Sequence, residues 1–433
     1  MFSFRQVVRA LTDLFFGACY RFERVFIVWP IELLMRLWFH LDPRVYWERS
    51  RIRHLTEGRI ARKGDRFVLL VVYGRESLPK FTRSLVDAVN RRGLNLVVST
   101  NARIEPSLRS ELLECCCLLI ERADLGRDFG GYKDGMSLIE KRFGLPSRLI
   151  LMNDSLFYFG QGVDSLVAAL DSEDDLIAMC EDAYQYYHLQ SFALSFSGKV
   201  LRNRLFRAFW RKYRPISTRF WAIHRGERGL TRCVLRAGMK PRVIYSAAQL
   251  LPHLRACGFA DLLNAVRLLP WLVREPLYRQ LNEVRQTRTT APIPMLDTLS
   301  RGMRHLHRMK GGEAKELRSA NVQGMLSISH QSLAAHEQLE EWASHSIGEK
   351  IVTLVADRNQ IHFGGFLFMK YLGMPAFKRD LFFREVYSLE EIDEQLSALP
   401  VSSRSEILAD IRQKGTVKFF TGLPRLLYSH GAI

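Results

Sequence analysis

What this chain of 433 residues lacks narrows the choices first. It has no apolar run near the roughly 20 residues that a membrane-spanning helix needs. In the apolar stretch Val7–Leu41 the longest clean run, Val25–Ile31, is broken by Pro30, and Arg9, Asp13, Arg21, Glu23, Arg24, Glu32 and Arg36 interrupt the rest. The same charges leave no h-region for a signal peptide. The seven cysteines form no Cys-x-x-Cys pair, and the triplet Cys115-Cys116-Cys117 lies in a core-like run. That argues against a disulfide framework or structural zinc, and for a reducing cytoplasm. There is no internal repeat, low-complexity tract, lysine-rich tail or nucleic-acid motif. Acidic residues are also short, 45 against 63 Lys and Arg, leaving a formal charge of +18.

Such an excess calls for a polyanionic partner. The arginines are scattered among apolar residues along the whole chain. This suits phosphorylated substrates or an anionic membrane surface and makes nucleic acid an unlikely partner. Residues 1–60 read as one or two interfacial helices, aromatic and aliphatic on one side and arginine on the other. A helical lid packed on the protein's own core is the alternative. Arg44–Asp65, rich in charge, reads as a connector.

From Phe67 the pattern changes. Phe67–Tyr73 is a continuous β-favouring run, as expected of a buried parallel strand. Gly74 ends it, Pro79 suits the first turn of a helix, and Phe81, Leu85, Val86 and Val89 recur at helical spacing. Leu94–Thr100 is a second strand, Leu108–Leu113 a helix and Leu118–Ile120 a third strand. Further strands are expected at Leu149–Met152, Leu176–Met179 and Phe192–Phe196. The β-α-β-α-β alternation predicts an α/β fold with a mostly parallel sheet and right-handed crossovers. Helical segments flank it at both ends of the chain. The divisions are 1–60, a core at 65–260, a helical region at 261–350 and a C-terminal part at 351–433.

Open α/β sheets bind ligands beyond the carboxyl ends of their strands, and three signatures fall there. In Gly126-Arg127-Asp128-Phe129-Gly130-Gly131, glycines allow tight turns and close approach, and Arg127 offers a planar fork for phosphate. Asp128 can accept from a hydroxyl, and a helix over Tyr132–Arg142 would favour an anion at its start. A plain loop with an Arg–Asp pair is the alternative; the spacing is neither a Walker loop nor the Rossmann fingerprint. In Asn153-Asp154-Ser155, Asp154 can hold a divalent metal or a hydroxyl, or simply cap a turn. Glu181 and Asp182 then precede His188-Leu189-Gln190-Ser191-Phe192, where His188 can be a base, a metal ligand or a sugar contact.

Downstream, Leu201–Trp210 reads as a helix with a basic face. The arginines from Arg214 to Arg242 around Trp221 and His224 suit a lipid-linked pyrophosphate or the membrane surface, or are a solvated face. His305, His307, His330, His336 and His345 have no metal-ligand spacing. Ser388–Glu391 has the pattern of a capping box.

In their order and spacing these signatures resemble the rhamnan synthesis protein F family of glycosyltransferases. The family's Gly-x-Asp-[Phe/Ile]-Gly segment, Asn-Asp-Ser, His-x-Gln-Ser-[Tyr/Phe]-Phe strand and Phe-Trp pair correspond to Gly126–Tyr132, Asn153–Ser155, His188–Phe192 and Phe209-Trp210. Asn359–Phe363 and Gly373–Leu381 are similar more loosely. The likeness covers about 65–245 and 355–395. It departs at Gln360, at Tyr158–Gly160 and at Met179–Asp182, which bear on the wall facing the sugar and on rhamnose as the donated sugar.

The resemblance implies a GT-A-like nucleotide-sugar-binding domain. It implies transfer of a sugar, rhamnose being one candidate, from a nucleotide-diphosphate donor to a bacterial capsule, O-antigen or other surface polysaccharide, or to a lipid-linked glycan. The setting would be cytoplasmic, at the inner membrane. The donor would meet Gly126, Arg127, Asp128, Gly130, Asn153, Asp154, Ser155, Gln190, Ser191, Lys378 and Arg379, with Mg²⁺ or Mn²⁺ at Asp154. Arg127, Lys378 and Arg379 would stabilise the leaving diphosphate, and Asp182, Glu181 or His188 would be the base for the acceptor hydroxyl. The competing reading is a non-catalytic scaffold that binds membrane or nucleic acid through a continuous basic stripe on the same core.

Overall fold

The computed structural model describes residues 21–279 and 346–429, apart from residues 75, 161, 185, 276, 400 and 402. The start of the amino-terminal segment, and 280–345 with its five histidines, lie outside the described residues. The chain divides into two units. The first holds the residues up to Ile244, Pro375–Glu385 and those from 400 on; the second holds Tyr245–Met374 and Val386–Leu399.

The strands are β1 Ile52–Glu57, β2 Arg66–Val72, β3 Asn95–Thr100, β4 Leu118–Arg122, β5 Arg148–Asn153, β6 Leu156–Tyr158, β7 Leu176–Asp182, β8 His188–Leu189, β9 Ala193–Ser197, β10 Arg242–Tyr245 and β11 Ala376–Lys378. Nine form one sheet in the order β1-β4-β3-β2-β5-β9-β7-β10, with β8 on β7. Its centre, β4-β3-β2-β5, is parallel. Leu69 pairs with Val97 on one side and Leu151 on the other. These strands are buried along nearly their whole length, which is why they read as unbroken apolar runs rather than alternating ones.

The flanks depart from a mostly parallel sheet. β9 runs antiparallel to both β5 and β7. From Asp182 to Ala193 there are too few residues for a crossover helix, so the chain must turn back on itself. The expected connector at 44–65 contains β1, an antiparallel edge strand on β4. Its short, mostly exposed pattern hid it.

Helices α1 Trp29–Leu41, α2 Lys80–Arg91, α3 Pro106–Cys115 and α4 Arg127–Phe143 accompany the sheet. α4 starts five residues before the expected position, so the glycine-rich segment is its first turns and not a loop. The space beside these glycines is filled. A Cβ on Gly130 would lie 2.0 Å from the Leu125 carbonyl oxygen, and one on Gly131 would lie 2.7 Å from Val71 of β2. The glycines let α4 lie tightly on the sheet. The expected helix over Leu201–Trp210 is two pieces, Gly198–Arg202 and Arg204–Lys212, and the Asn203 side chain caps the second.

The cysteine triplet is core as read, with Cys116 and Cys117 buried and no disulfide among the described residues. In the second unit, Ser388 and Glu391 form the expected capping box. Asn359 caps the helix Gln360–Leu372.

Candidate active site

β2 and β5 lie side by side, so their carboxyl ends bring Tyr73 and Asn153–Ser155 together. The start of α4 adds Asp128. Asn153 Nδ2 donates to Asp128 Oδ2 at 2.9 Å, while Asn153 Oδ1 accepts from Ser155 N at 3.1 Å and Ser155 Oγ at 2.6 Å. The Tyr73 hydroxyl bonds Asp128 as well. Burial, and then the neighbouring Asp154 carboxylate, push Asp128 up to about 6 against the opposing pull of Arg127 and Lys378. Arg127, exposed at the rim, holds a left-handed φ of 51°, and its carbonyl accepts from Asn101 Nδ2 at 3.1 Å.

Lys378 comes from more than 200 residues away. β11 pairs antiparallel with β6, which follows Asn153–Ser155 directly, and sets Lys378 opposite Leu156. Lys378 Nζ then donates to Ser155 Oγ at 3.2 Å and lies 4.9 Å from the Phe192 ring centre. Burial lowers its affinity for a proton; Asp380, Glu227 and Asp128 act in the opposite sense. Arg379 is spent on the frame. It pairs with Asp410 at 2.6 Å, donates to the Asp154 carbonyl at 3.2 Å and stacks over Phe81.

The second half of the site is built by β8. Asp182 and His188 are direct cross-strand partners and so share a face. Gln190 Nε2 lies 3.2 Å from Asp182 Oδ2 and 3.4 Å from His188 Nε2. Burial pushes Asp182 up to about 6, although the Tyr184 N–H opposes it. Glu181 points the other way, toward Tyr187, and is thereby separated from the other two residues considered for the base.

Glu227 enters here without having been singled out in the sequence. Its Oε1 accepts from Ser191 Oγ at 2.6 Å and Ser191 N at 3.3 Å, and its Oε2 lies 3.6 Å from His188 Nε2. His188 Nδ1 faces the Tyr186 carbonyl at 2.9 Å, so Nδ1 carries a proton and Nε2 is the position that can share one with Glu227. Glu227 ends a π-helical turn, Ala222–Glu227, a feature often found at functional sites. Gly226 makes the approach feasible, since a Cβ there would lie 2.8 Å from the Phe129 ring of α4. One signal was available in the sequence: Glu227 is the only acidic residue between Arg214 and Arg242. Tyr73, Asn101 and Tyr132, whose hydroxyl donates to the Ser191 carbonyl at 2.8 Å, were likewise not singled out.

Asp154, offered as a metal ligand, is a capping carboxylate in this site. Its Oδ2 accepts from Tyr73 N at 2.9 Å, and the Gly74 and Asp154 N–H groups also face it. A cation there would compete with those donors for the Asp154 carboxylate. No group of three or more His, Cys, Asp or Glu suited to a metal occurs among the described residues. The described side chains offer no ready-made three-ligand site for a divalent ion, and Lys378 and Arg127 are the cations at hand.

A mixed α/β domain with a polar site at its strand ends is thus the class that fold and geometry define. Residues 96–256 match the family described as rhamnan synthesis protein F, a family of polysaccharide synthesis, in keeping with the resemblance carried by the motifs. The stretch holds Asp128, Asn153, His188 and Glu227, while Tyr73 and Lys378 lie beyond it. An uncharacterized protein, y4gN, of Sinorhizobium fredii (strain NBRC 101917 / NGR234) is 31% identical over 189 residues, 42% of this chain and 49% of the relative. The chain therefore spans about half the length of the curated relative it matches.

Proposed function

We propose that this protein is a glycosyltransferase with a GT-A-like domain. It moves a sugar from a nucleotide-diphosphate donor to a hydroxyl of a surface polysaccharide or its lipid-linked precursor. The observation that carries the reading is the placement of one half-buried lysine, Lys378, delivered by β11 to the strand ends, where its Nζ donates to Ser155 Oγ at 3.2 Å and Asp380, Glu227 and Asp128 favour its charged form. A scaffold needs no such arrangement.

The chemistry follows from the charges. As the bond between sugar and diphosphate breaks, negative charge gathers on the leaving group, and Lys378 with Arg127 stabilises it. Asp128, oriented by Asn153 and Tyr73, accepts from a donor hydroxyl. Glu227, held by Ser191, takes the proton of the attacking hydroxyl and shares it with His188 Nε2. Asp182 and Gln190 position His188. Rhamnose remains one candidate for the donated sugar.

The test is a titration with a panel of nucleotide-diphosphate sugars, followed by calorimetry and by release of nucleotide. One donor should bind and be slowly hydrolysed. Glu227→Gln should keep donor binding and lose transfer to an acceptor. If no sugar nucleotide binds while RNA does, the scaffold reading replaces this one.

A further inference from the structure

Outside the site, the amino-terminal helices of the first unit carry one face that no other described residue covers. Phe22, Phe26, Trp29, Leu33, Leu34, Leu37, Trp38 and Leu41 are all more than half exposed, and their spacing of three and four residues sets them on one broad stripe. The opposite face is occupied. Val28 and Ile31 pack on Leu426 and Leu427, and Phe39 packs beside Val45, Leu125 and Ile216. The helix is therefore anchored on its inner side and apolar on its outer side. A contiguous apolar patch of this kind is uncommon on a soluble monomer unless it meets a partner.

A cavity of about 610 Å³ adjoins that face, lined by Arg24, Trp29, Glu32, Leu33, Arg36, Tyr186, Phe220, His224 and Arg228. Trp29 and Leu33 belong to both surfaces. The lining holds three arginines and a single carboxylate, Glu32, which Arg36 holds at 2.6 Å. Arg36 also covers the Phe220 ring at 4.5 Å, and Arg228 covers Tyr186 at 4.8 Å. Burial, followed by the charges of Arg228, Arg36, Arg24 and Arg232, pushes His224 down to about 4, so it adds no charge of its own at neutral pH. The cavity carries excess positive charge with aromatic walls and opens beside an apolar stripe.

We infer that this cavity takes the phosphate of a membrane lipid while the stripe from Phe22 to Leu41 lies in the bilayer interface. The charge complements an anionic headgroup, and the stripe accommodates its hydrocarbon. The inference goes beyond the transferase reading and does not need it. If both hold, the lipid is the carrier of the acceptor, because Arg228 follows Glu227 directly in the chain and lies within the field of Asp182.

The experiment is flotation of the full chain with vesicles of phosphatidylcholine alone, with added phosphatidylglycerol, and with added polyprenyl diphosphate. The wild type should float best with the phosphate-rich vesicles. An Arg24→Gln, Arg228→Gln double variant should bind those vesicles about thirtyfold less well, since each of the two basic residues near an anionic surface contributes about 1 kcal/mol, and its binding to phosphatidylcholine alone should be unchanged. Leu34→Ser with Trp38→Ser, outside the cavity, should weaken binding to all three. Flotation of the arginine variant equal to wild type overturns the cavity assignment. So does inorganic pyrophosphate binding with no flotation, which would mark a soluble ligand. Donor titration reads the transferase question separately, so either idea can fail alone.

Discussion

The first unit holds two charged clusters of similar composition and opposite character. At the start of β1, Arg51 and Arg122 both grip Asp134, and all three are fully buried. Arg51 also donates to the Arg44 carbonyl at 2.6 Å; Arg122 donates to the Leu125 carbonyl at 2.7 Å and to Asn101 Oδ1. Each charge there is used inside the protein. At the strand ends, Lys378 has one hydrogen bond to a hydroxyl, and Asp128 stays partly exposed with its proton affinity raised. Residue type does not separate the two clusters. What separates them is how much of each group's capacity is left for a ligand. The two are connected, since Asn101 bonds Arg122 through its oxygen and the Arg127 carbonyl through its nitrogen, so the rigid cluster steadies the rim of the open one.

The sharpest way to break this comparison is Asp134→Ala. Two buried guanidinium groups would lose their counter-charge, which costs about 3–5 kcal/mol for a buried pair. Urea denaturation should show that loss; one below about 1 kcal/mol would mean the cluster is not the frame described. Next in size is Lys378→Met. The fold should survive, and nucleotide release from the donor should fall roughly 100- to 1000-fold, the usual cost of removing one charge-stabilising donor. If Lys378→Met unfolded the protein while Asp134→Ala did not, the roles of the clusters would be reversed.

Much of this was legible in the sequence, and the reasons are particular. β2, β3, β4 and β5 were found within about a residue or two because strands buried on both faces leave unbroken apolar runs. Asn153, Asp128 and His188 were singled out because they stand in compact polar signatures, which lie at the end of β5, in the first turn of α4 and in β8. β1 was not, because an edge strand with one exposed face has no apolar run. Pairing was less visible than identity. Nothing in Ala376–Lys378 announces that it pairs with Leu156–Tyr158, although that ribbon delivers Lys378. Arg379 looked equivalent to Lys378 as its neighbour, yet alternation along the strand end turned it to Asp410. Glu227 had a compositional signal but sat on a π-helical turn, whose geometry leaves no period to read.

Asp128 sharpens the comparison through pH. Its carboxyl titrates at about 6 in the folded protein against an ordinary 3.8. The native state therefore binds this proton more tightly than the unfolded chain, so the contribution of Asp128 to stability is largest below about 3.8 and is lost as pH rises through about 6. Its role in accepting from a hydroxyl runs the other way and appears only above about 6. Asp128→Asn should thus become steadily more stable relative to wild type between those limits, while donor binding weakens and loses its rise near pH 6. A flat stability difference across that window would show the carboxyl to be unperturbed. The smallest effect expected is that of a chelator. Because the Tyr73 and Gly74 N–H groups already face Asp154, and Lys378 carries the positive charge, EDTA should leave donor binding within about a factor of two of its value in Mg²⁺. A larger loss would mean that Asp154 gives up its backbone partners to a cation when the diphosphate arrives, and that the open cluster is less pre-organised than the closed one.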